Sequence, residues 1–538
     1  MRGRGLESIF EDDQLLVDQP LTPAGTARVM ATLATLKSLG VDRVRVLVEW
    51  RQVAPDPTGA HPPAGFDPRN PADYGGGWTT FDRLDAAAAL AGIGVDFDLS
   101  GPAPDWAVTP QPAGTRPGAR ADAAVYEPSP SQFGAFVEAA GRRYDGHTRT
   151  AATAGHPLPR VSFWSVWNEP NQPGWLSPQT DPRSGAAVAP AQLRGLVDAF
   201  WRGLRASGHL GTGDTTLVGE FAPEGCIPSV PCAFAGLGPG YGATPPLPFL
   251  ENLYCVTGAD GGRLAPLSGS AATAVGCPAR PDPARFVAAH PGLFSATGIS
   301  EHPYAFSFAP NVPFPLASER GFVPLASLSR LTDTLDAIDA AYGVGRRMPL
   351  YLTEYGYVTN PPNPDYHVSP AQQATYLDWA TYIAAMNPRV RALGQFELQD
   401  SNPALSCHCT RASPKYWQSF QEGLEYLGGA HKPAFAAYRL PIVLPAVELH
   451  HARLLPGVAT EVWGMLRPAP NGSTQSAAIQ WRPAGAGSFR TLASTQTHSP
   501  AGFIDTSVVI PGSGVVRLAW IAPHYGVLYS REVPVHVG

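Results

Sequence analysis

The chain has 538 residues, which is too long for one hydrophobic core and predicts two domains, one of them large. Charged residues make up 15% of the chain, the net charge is −6 and no basic run occurs, so the composition excludes nucleic acid and an anionic membrane surface as evident partners. No apolar run reaches the ~18 residues of a membrane-spanning helix, and the start Met-Arg-Gly-Arg-Gly lacks the apolar core of a signal peptide.

Segments with strand and helix periodicity alternate up to about residue 440. A strand over 6–17 is followed by a helix over 26–39 and a strand over 41–50. The later predicted segments are a helix at 78–90, strand at 95–101, helix at 133–144, strand at 161–167, helix at 191–206, strand at 215–221, helix at 283–289, strand at 298–304, helix at 325–342, strand at 348–354, helix at 372–386, strand at 390–398 and helix at 432–438. Eight strand–helix units predict a parallel sheet closed into an α/β fold of the (β/α)8 TIM-barrel type. No glycine-rich nucleotide motif follows the first strand.

The pattern changes at Leu440-Pro441. Beyond this point, short alternating runs at 461–466, 477–481, 489–492 and 515–520 are separated by turn residues, and no helical pattern lies among them. Such spacing is typical of an antiparallel β-sandwich of immunoglobulin-like type. We therefore predict a catalytic barrel at 1–440 and an accessory β-sandwich at 441–538, with a short link that docks the sandwich on the barrel.

The cysteines form an even set with local spacing, at positions 226, 232, 255, 277, 407 and 409. This favours disulfides between sequence neighbours and a secreted or extracytoplasmic protein, although other pairings remain open. Four of the six fall in residues 222–283, a Gly- and Pro-rich insertion on a βα loop, which we expect to be a cross-linked flap over the active face. A metal site at Cys407-His408-Cys409 is the alternative, but no second Cys/His pair of zinc spacing lies nearby in the sequence.

A glutamate follows each of two apolar strands. Residues 161–167 are β-branched, aromatic or small, and Asn168-Glu169-Pro170 ends that strand. In residues 348–357, Glu354 again follows an apolar run, and Gly356 permits close approach of the backbone to a ligand. Either glutamate alone could simply cap a strand end. Together, at the carboxyl ends of barrel strands where catalytic groups lie, they are typical of glycoside hydrolysis.

The Trp167-Asn168-Glu169-Pro170 motif on this barrel pattern resembles the clan of retaining glycosidases with (β/α)8 barrels, clan A. The long barrel followed by a small sandwich is most similar to glycoside hydrolase family 39, with family 5 next, over residues 6 to about 440. The resemblance implies that Glu169, after the fourth strand, is the acid/base. It likewise implies that Glu354, after the seventh strand, is the nucleophile.

The same resemblance suggests four helper residues. Asn168 would bind the sugar 2-hydroxyl, Arg45 would lie beside the nucleophile, and the pair His302 and Tyr304 would end the sixth strand. Each of three has a structural alternative: Asn168 as a turn residue, Arg45 as a member of an interior ion pair, and His302 as a core histidine.

Tryptophans in the expected βα loops are candidates for stacking on sugar rings: Trp50, Trp106, Trp175 and Trp417. Packing within a surface loop would explain any one of them equally well. The tryptophan platform that usually ends the eighth strand of the clan is missing, because Phe396-Glu397-Leu398 stands there. Trp417 is the candidate to replace it.

These features predict a retaining glycosidase that works by double displacement without cofactor or metal. The substrate would be a glycoside, oligosaccharide or polysaccharide, cleaved at a terminal sugar or short terminal unit of β-D-glycoside or α-L-arabinoside type, because the long βα loops would close the cleft at one end. The alternatives are an endo-acting polysaccharide hydrolase, a non-catalytic carbohydrate-binding barrel, and a metal-dependent hydrolase, for which His302 is the one strand-end histidine. The oligomeric state stays open.

Overall fold

The computed structural model describes residues 5–111, 124–227, 240–258, 263–315, 317–365, 367–413, 415–497, 499 and 502–538. Its main feature is a closed barrel of eight parallel strands in the order β1-β8-β7-β6-β5-β4-β3-β2, which confirms the predicted fold class. The barrel strands are β1 Glu7–Glu11, β2 Arg43–Glu49, β3 Gly94–Ser100, β4 Phe163–Val166, β5 Thr215–Phe221, β6 Gly298–Glu301, β7 Leu350–Leu352 and β8 Val390–Phe396.

Long helices alternate with these strands. They are α1 Pro23–Leu39, α2 Thr79–Ala91, α3 Pro130–Arg143, α4 Ala189–Ala206, α5 Pro283–Ala289, α6 Leu328–Tyr342, α7 Pro370–Met386 and α8 Pro433–Arg439. Shorter helices are Asp13–Leu16, Trp50–Val53, Pro246–Leu253, Gly269–Ala274, Pro291–Ser295, Pro403–Ser406 and Pro445–Glu448. Many begin with proline at the first turn, where its missing N–H costs no hydrogen bond, and α1 ends at Gly40 with φ 83°.

Several strands are shorter than predicted, β1 and β7 among them. β1 ends at Glu11 because the Asp12 side chain accepts a hydrogen bond from Leu15 N and caps the helix Asp13–Leu16. β7 ends at Leu352, and the chain beyond it leaves the sheet. Acidic residues therefore lie at the ends of both strands, at the carboxyl face of the barrel: Glu11 and Asp13 at β1 and Glu354 after β7.

The apolar residues form a large core between the barrel and its helices, and the cluster inside the barrel is small. Five side chains from different strands make this inner cluster: Ile9, Phe163, Leu217, Tyr351 and Ala392. Further toward the carboxyl ends the barrel interior is polar, with Arg45, Asp98 and Glu220 fully buried. The sequence thus supplies an apolar plug beneath a charged layer.

Most of the described part of the insertion at 222–283 differs from the expected flap, although its first residues, Ala222, Pro223 and Glu224, line the cavity at the carboxyl face. The disulfide Cys255–Cys277 joins the short strand Val256–Gly258, which pairs with Leu264–Pro266, to the segment after Gly269–Ala274. Arg194 of α4 donates to Leu253 O at 2.9 Å and to Gly276 O at 2.6 Å, so this part packs on the side of the barrel. The described residues 240–258 and 263–283 do not line the cavity at the carboxyl face.

The other two cysteine pairs have different outcomes. The structure contains the disulfide Cys407–Cys409, which argues against a metal site at these cysteines. The pairing of Cys226 with Cys232 remains a prediction, because Cys232 lies outside the described residues.

The carboxyl-terminal region contains two antiparallel sheets with the orders β9-β10-β13 and β12-β11-β14-β15, and β16 also pairs with β14. The strands are β9 Ile442–Val443, β10 Ala459–Met465, β11 Ser476–Pro483, β12 Arg490–Gln496, β13 Phe503–Val509, β14 Gly514–Ala522, β15 Gly526–Tyr529 and β16 Val533–Val535. A separate core cluster begins at Leu440, whereas the barrel cluster extends to Tyr438.

An arginine joins the sandwich to the barrel: Arg531 pairs with Asp378 of α7 at 2.6 Å. It also pairs with Glu448 of the carboxyl-terminal region at 2.6 Å. Within the described part of the chain, no helix is long and apolar enough to cross a membrane.

Candidate active site

A cavity of about 720 Å³ lies at the carboxyl ends of the barrel strands. Segments that follow β1, β4, β5, β6, β7 and β8 contribute to its wall, as does the end of β2. Its volume falls within the roughly 300–1,000 Å³ that is typical of small-ligand sites. The lining residues are Glu11, Asp13, Gln14, Leu47, Glu49, Asn168, Glu169, Gln172, Gly174, Trp175, Ala222, Pro223, Glu224, Tyr304, Phe306, Glu354, Phe396, Glu397, Ser401, Gln418, Ser419, Phe420 and Glu422.

The two glutamates singled out in the sequence face each other in this cavity. A carboxylate oxygen of Glu169, one of Glu354 and a ring nitrogen of His302 all lie within 4.8 Å of one another. The side chain of Glu169 is 22% exposed, whereas that of Glu354 is 10% exposed and more enclosed. Both carboxylates are accessible from the cavity, so one small molecule can contact both.

Glu354 is held by two hydrogen-bond donors. Arg45 Nη1 lies 2.7 Å from its Oε1, and the Tyr304 hydroxyl donates to its Oε2 at 3.0 Å. Because each oxygen has its own donor, the carboxylate is fixed in rotation as well as in position. The structure therefore places Arg45 beside Glu354, where the resemblance put it, and also places Tyr304 there, a contact that the sequence analysis did not predict.

His302 connects the facing pair to the barrel interior. Its Nδ1 lies 3.2 Å from Glu169 Oε1, and its Nε2 lies 2.9 Å from Glu220 Oε2. Burial by itself would lower the pKa of His302, but Glu354, Glu169 and Glu220 raise it well above its usual value. The imidazole thus favours its doubly protonated form, in which both nitrogens donate hydrogen bonds.

Arg45 is the centre of a buried ion network. Besides Glu354, its guanidinium contacts Glu11, and it lies 3.0 Å from Asp98 and 3.1 Å from Glu220. Burial raises the pKa of Glu11 and of Asp98 well above their usual values, although Arg45 opposes this shift. For Glu220, by contrast, Arg45 and His302 outweigh burial and hold the pKa well below its usual range. Among the buried acids around Arg45, Glu220 is therefore the one that favours its ionised form, whereas Glu11 and Asp98 favour their protonated forms.

Asn168 belongs to the same arrangement. Its Oδ1 accepts a hydrogen bond from Arg45 Nη2 at 2.7 Å, and its backbone N–H donates to the Ser100 hydroxyl at 2.8 Å. Asn168 also lines the cavity. The arrangement leaves its side-chain amide nitrogen available to a ligand, as expected for a residue that contacts a sugar hydroxyl.

The backbone around the facing pair adopts left-handed conformations that non-glycine residues rarely adopt. Trp167 has φ 63°, Glu169 has φ 37° and Glu220 has φ 47°. Hydrogen bonds stabilise these conformations: Glu169 N donates to Glu220 O at 2.9 Å, and Trp167 Nε1 donates to Trp175 O at 2.9 Å. Such strain is concentrated at functional sites, where the surrounding fold compensates for its cost.

The structure corrects three of the four tryptophan predictions. Trp50 is fully buried in the core and stacks on Phe136, because β2 ends at Glu49 and the chain turns inward there. Trp106 packs edge-on against Trp50 with ring centroids 5.8 Å apart. Trp417 packs against Tyr416, and neither it nor Trp106 lines the cavity. These three tryptophans are therefore packing residues.

Other aromatic side chains form the apolar part of the wall. Trp175 lines the cavity, as predicted, together with Phe306, Phe396 and Phe420. Phe396 and Phe420 meet edge to face, with ring centroids 5.1 Å apart. Phe396, at the end of β8, thus lies where Trp417 was expected to provide the aromatic platform.

Several acidic residues of the site were missed in the sequence. Glu11 ends the first strand in the same way that Glu354 follows the seventh, so the same signal could have found it. Asp98 and Glu220 lie within strands, and an acidic residue in a buried strand was a usable signal. Glu422 had none, because it lies in an irregular loop after β8.

The nearest arrangement to a metal site in the described residues consists of Glu169, His302 and Glu354. Two contacts disfavour a cation here. Arg45 already occupies Glu354 Oε1, and His302 in its doubly protonated form has no lone pair to give. The donor set therefore fits acid–base chemistry better than metal binding.

No protein-family model matches the chain, and no curated protein matches it. Solved structures found similar include a glucosidase from Croceicoccus marinus, with 13% identity, 99% of this chain and 96% of that chain covered, and a TM-score of 0.45. A family 1 β-glucosidase from Thermotoga maritima has 13% identity, 76% and 85% coverage and a TM-score of 0.43. GH5_18 from Streptomyces cattleya in complex with GlcNAc has 16% identity, 81% and 79% coverage and a TM-score of 0.40.

Proposed function

We propose that the protein is a glycosidase that hydrolyses O-glycosyl bonds with retention of anomeric configuration. The observation that carries this proposal is the pair Glu169 and Glu354, in which one carboxylate oxygen of each residue lies within 4.8 Å of the other in an open cavity. Retaining enzymes hold their two carboxyl groups about 5–5.5 Å apart, whereas inverting enzymes need roughly 6.5–9.5 Å to admit a water molecule. The spacing supports double displacement.

Glu354 is suited to the nucleophilic step. Arg45 and Tyr304 each donate to one of its oxygens and aim the carboxylate into the cavity. In the first step a Glu354 oxygen would bond to the anomeric carbon while the bond to the leaving oxygen breaks. The donors then stabilise the carboxylate again when the intermediate is hydrolysed.

Glu169 is suited to the proton transfers. It is the more exposed of the pair, and its described hydrogen-bond partner is His302. Glu169 would give its proton to the leaving oxygen in the first step and remove a proton from water in the second. When His302 is doubly protonated, its Nδ1 is a hydrogen-bond donor. His302 can then orient Glu169 but cannot accept the Glu169 proton.

The proposal extends to the position of cleavage. A cavity of about 720 Å³ with Trp175 and Phe420 in its wall supports binding of a terminal sugar or a short terminal unit of an oligosaccharide. An endo-acting hydrolase is the alternative. A time course on a polysaccharide distinguishes them, because terminal cleavage releases one small sugar from the start, whereas internal cleavage first gives a ladder of mixed oligosaccharides.

The test of the proposed function is a pair of substitutions. Glu354→Ala should abolish turnover of chromogenic glycosides, and azide should restore part of it with an inverted product. Glu169→Ala should lose natural substrates but retain those with good leaving groups, which need little protonation. Glu532→Gln, a surface change in the sandwich, serves as the control. Near-wild-type turnover of a natural glycoside by either alanine variant would rule out the assignment.

The metal-dependent alternative has its own test. A chelator should leave turnover unchanged, because carboxylates fill both chemical roles in this proposal. Loss of activity on chelation, recovered with a single added metal, would instead favour a cation at Glu169, His302 and Glu354.

We also propose that the protein acts outside the cytoplasm. Two disulfides, Cys255–Cys277 and Cys407–Cys409, support an oxidising compartment, since such bonds are rare in the reducing cytosol. Fractionation of the producing cells, with immunodetection of the protein, tests this proposal.

A further inference from the structure

The cavity wall carries more acidic residues than glycoside hydrolysis requires. Eight acidic side chains line it, and the lining residues that the structure describes include no lysine, arginine or histidine. Two of the eight suffice for the proposed chemistry. The others are Glu11, Asp13, Glu49, Glu224, Glu397 and Glu422.

Glu422 has an unusual position among them. Its residue is 6% exposed, its Oε2 is buried, and no hydrogen-bond partner for that oxygen exists among the described residues. A buried carboxyl oxygen without a hydrogen-bond partner is destabilising, because it has lost its bonds to water and gained none in the protein. Oε2 lies against Gly356, whereas the side chain also lines the cavity, and no described residue donates a hydrogen bond to Oε1, so a ligand can donate to Oε1.

The fold holds Glu422 firmly in this position. Its backbone carbonyl accepts hydrogen bonds from Gln373 Nε2 at 2.9 Å and Gln395 Nε2 at 3.3 Å. A side chain at Gly356 would overlap Glu422 Oε2, so the glycine after the nucleophile provides the space that this carboxyl occupies. Lys432, the nearby cation, donates to Asp400 at 2.6 Å. The site is therefore rigid and keeps its acceptor for the ligand.

The electrostatics of the wall disfavour further negative charge. Burial raises the pKa of Glu422 well above its usual value, and the neighbouring Glu354 adds to the shift. Burial likewise raises the pKa of Glu224 to about 7, with Glu169 adding to it. Burial disfavours a charge of either sign, but the neighbouring carboxylates Glu354 and Glu169 repel a further anion and attract a cation.

We propose that the substrate carries a protonated amine on its terminal sugar and that Glu422 is the residue that binds this amine. An ammonium group provides several donors and a full positive charge, and a hydrogen bond with an ionised donor or acceptor is about twice as strong as one between neutral groups. Amino-sugar glycosides with a free amine are thereby favoured and uronic acid glycosides excluded. This inference deepens the proposed glycosidase function and rests on it.

The test compares matched 4-nitrophenyl β-D-glycosides of glucosamine, N-acetylglucosamine, glucose and glucuronic acid, together with chitosan oligosaccharides. Wild-type protein should show the highest kcat/KM on the free amine and at least about a hundredfold lower kcat/KM on the glucuronide. Glu422→Gln should raise KM for the free amine about tenfold or more, which is the loss expected for one charge-assisted bond. The ratio of kcat/KM for the free amine to kcat/KM for the glucoside should therefore fall in Glu422→Gln.

A binding measurement tests whether Glu422 binds the amine or only supports the fold, because a purely structural role would not change the number of protons released on binding. Binding of glucosamine to Glu354→Ala should release protons, because the amine favours ionised carboxylates in the wall, and calorimetry in two buffers of different ionisation enthalpy detects this. The proton release should fall in the Glu354→Ala, Glu422→Gln double variant. Glu425→Gln is the matched control, since Glu425 lies in the same loop, pairs with His431 and does not line the cavity.

The outcomes separate this inference from the function on which it rests. Faster turnover of the glucoside than of the free-amine glycoside, or an unchanged preference in Glu422→Gln, overturns the amine assignment. If Glu354→Ala nevertheless loses activity, the proposed glycosidase function still stands. If wild-type protein turns over no glycoside, the proposed function itself is overturned.

Discussion

Glu220 lies behind the facing glutamates and orients His302 from the side opposite Glu169. Its Oε2 lies 2.9 Å from His302 Nε2 and accepts the Thr353 hydroxyl at 2.6 Å. Because carboxylates raise the pKa of His302 against the effect of burial, removing one of them lowers that pKa. We expect Glu220→Gln to reduce kcat and to move the alkaline limb of the kcat/KM profile to lower pH.

The direction of this shift follows from the sign of the change. A raised pKa keeps His302 doubly protonated as pH rises, and activity that needs this form is lost when pH passes the pKa. With a lower pKa the loss comes at lower pH. The pH–rate profile measures it, with Glu532→Gln as the control, and an alkaline limb that stays in place would exclude His302 as the titrating group.

Gly356 gives a second prediction at the scale of single residues. The sequence suggested that this glycine lets the backbone approach a ligand, and the structure places the Glu422 carboxyl and the Phe396 carbonyl in that space. Gly356→Ala should cost about 1–3 kcal/mol of unfolding free energy through overpacking and should also lower kcat/KM. Gly487→Ala, where an added Cβ meets no atom within 4 Å, is the control. Equal melting temperatures for the two variants would contradict this account.

At the scale of elements, the sequence was informative where local pattern and burial agree. The predicted strand at 215–221 and helix at 283–289 match β5 and α5 in both bounds, since turn residues flank periodic apolar runs. The first strand was predicted too long, because the capping role of Asp12 depends on a side-chain rotamer that periodicity does not encode. Boundaries set by single hydrogen bonds were therefore the least predictable part of the fold.

The candidate active site was also predictable only in part. Glu169 and Glu354 could be found because each follows an apolar strand, and closure of the barrel brings distant strand ends together. The inward turn that buries Trp50, and the loop that carries Glu422, depend on contacts between segments far apart in sequence. An aromatic residue in a βα loop therefore predicts proximity to the site, but not on which side of the loop it packs.

The insertion gives a prediction at this scale. Cys255–Cys277 spans 22 residues of sequence, and the segment packs on α4 through Arg194, away from the cavity. Replacing both cysteines by serine should cost about 2–4 kcal/mol of stability by releasing a constraint on the unfolded chain. We expect a lower melting temperature with kcat/KM unchanged at moderate temperature. A loss of activity without a loss of stability would restore the flap model.

At the scale of the whole molecule, buried hydrogen bonds hold the sandwich against the barrel. The Arg467 guanidinium contacts the Ser8 hydroxyl of β1, donates to Tyr438 O at 2.7 Å and lies 3.2 Å from the Thr381 hydroxyl. Arg467→Ala removes these bonds and leaves buried acceptors unpaired, so it should cost about 3 kcal/mol.

Thermal unfolding measures this coupling between the domains. Arg467→Ala should lower the temperature at which the barrel loses activity, although the residue lies outside the cavity. Arg482→Ala, which breaks a surface pair with Glu532, should cost less than about 1 kcal/mol and serves as the control. Equal effects of the two substitutions would show that the sandwich does not stabilise the barrel.

The pH dependence of stability also belongs to the whole molecule, because buried acids are spread across it. Burial raises the pKa of Asp12, Asp96 and Asp378 to about 7 and that of Asp85 to about 8. The unfolded chain titrates such groups near about 4, so between these values the folded protein binds more protons. The stabilisation is complete below about pH 4 and is lost as pH rises through about 7 to 8. We expect the melting temperature to fall between pH 6 and pH 9, by calorimetry.

Asp85 of α2 provides the variant that tests this linkage. Its carboxyl group is buried, its Oδ2 has no hydrogen-bond partner among the described residues, and Asp82 adds to the effect of burial on its pKa. Asp85→Asn removes the titration, so it should raise the melting temperature near pH 9 more than near pH 6 and flatten the slope between them. Asp336→Asn, which changes a surface acid paired with Arg389, should leave the slope as it is. A parallel displacement of the whole Asp85→Asn curve would mean that packing, and not proton binding, sets the contribution of this residue.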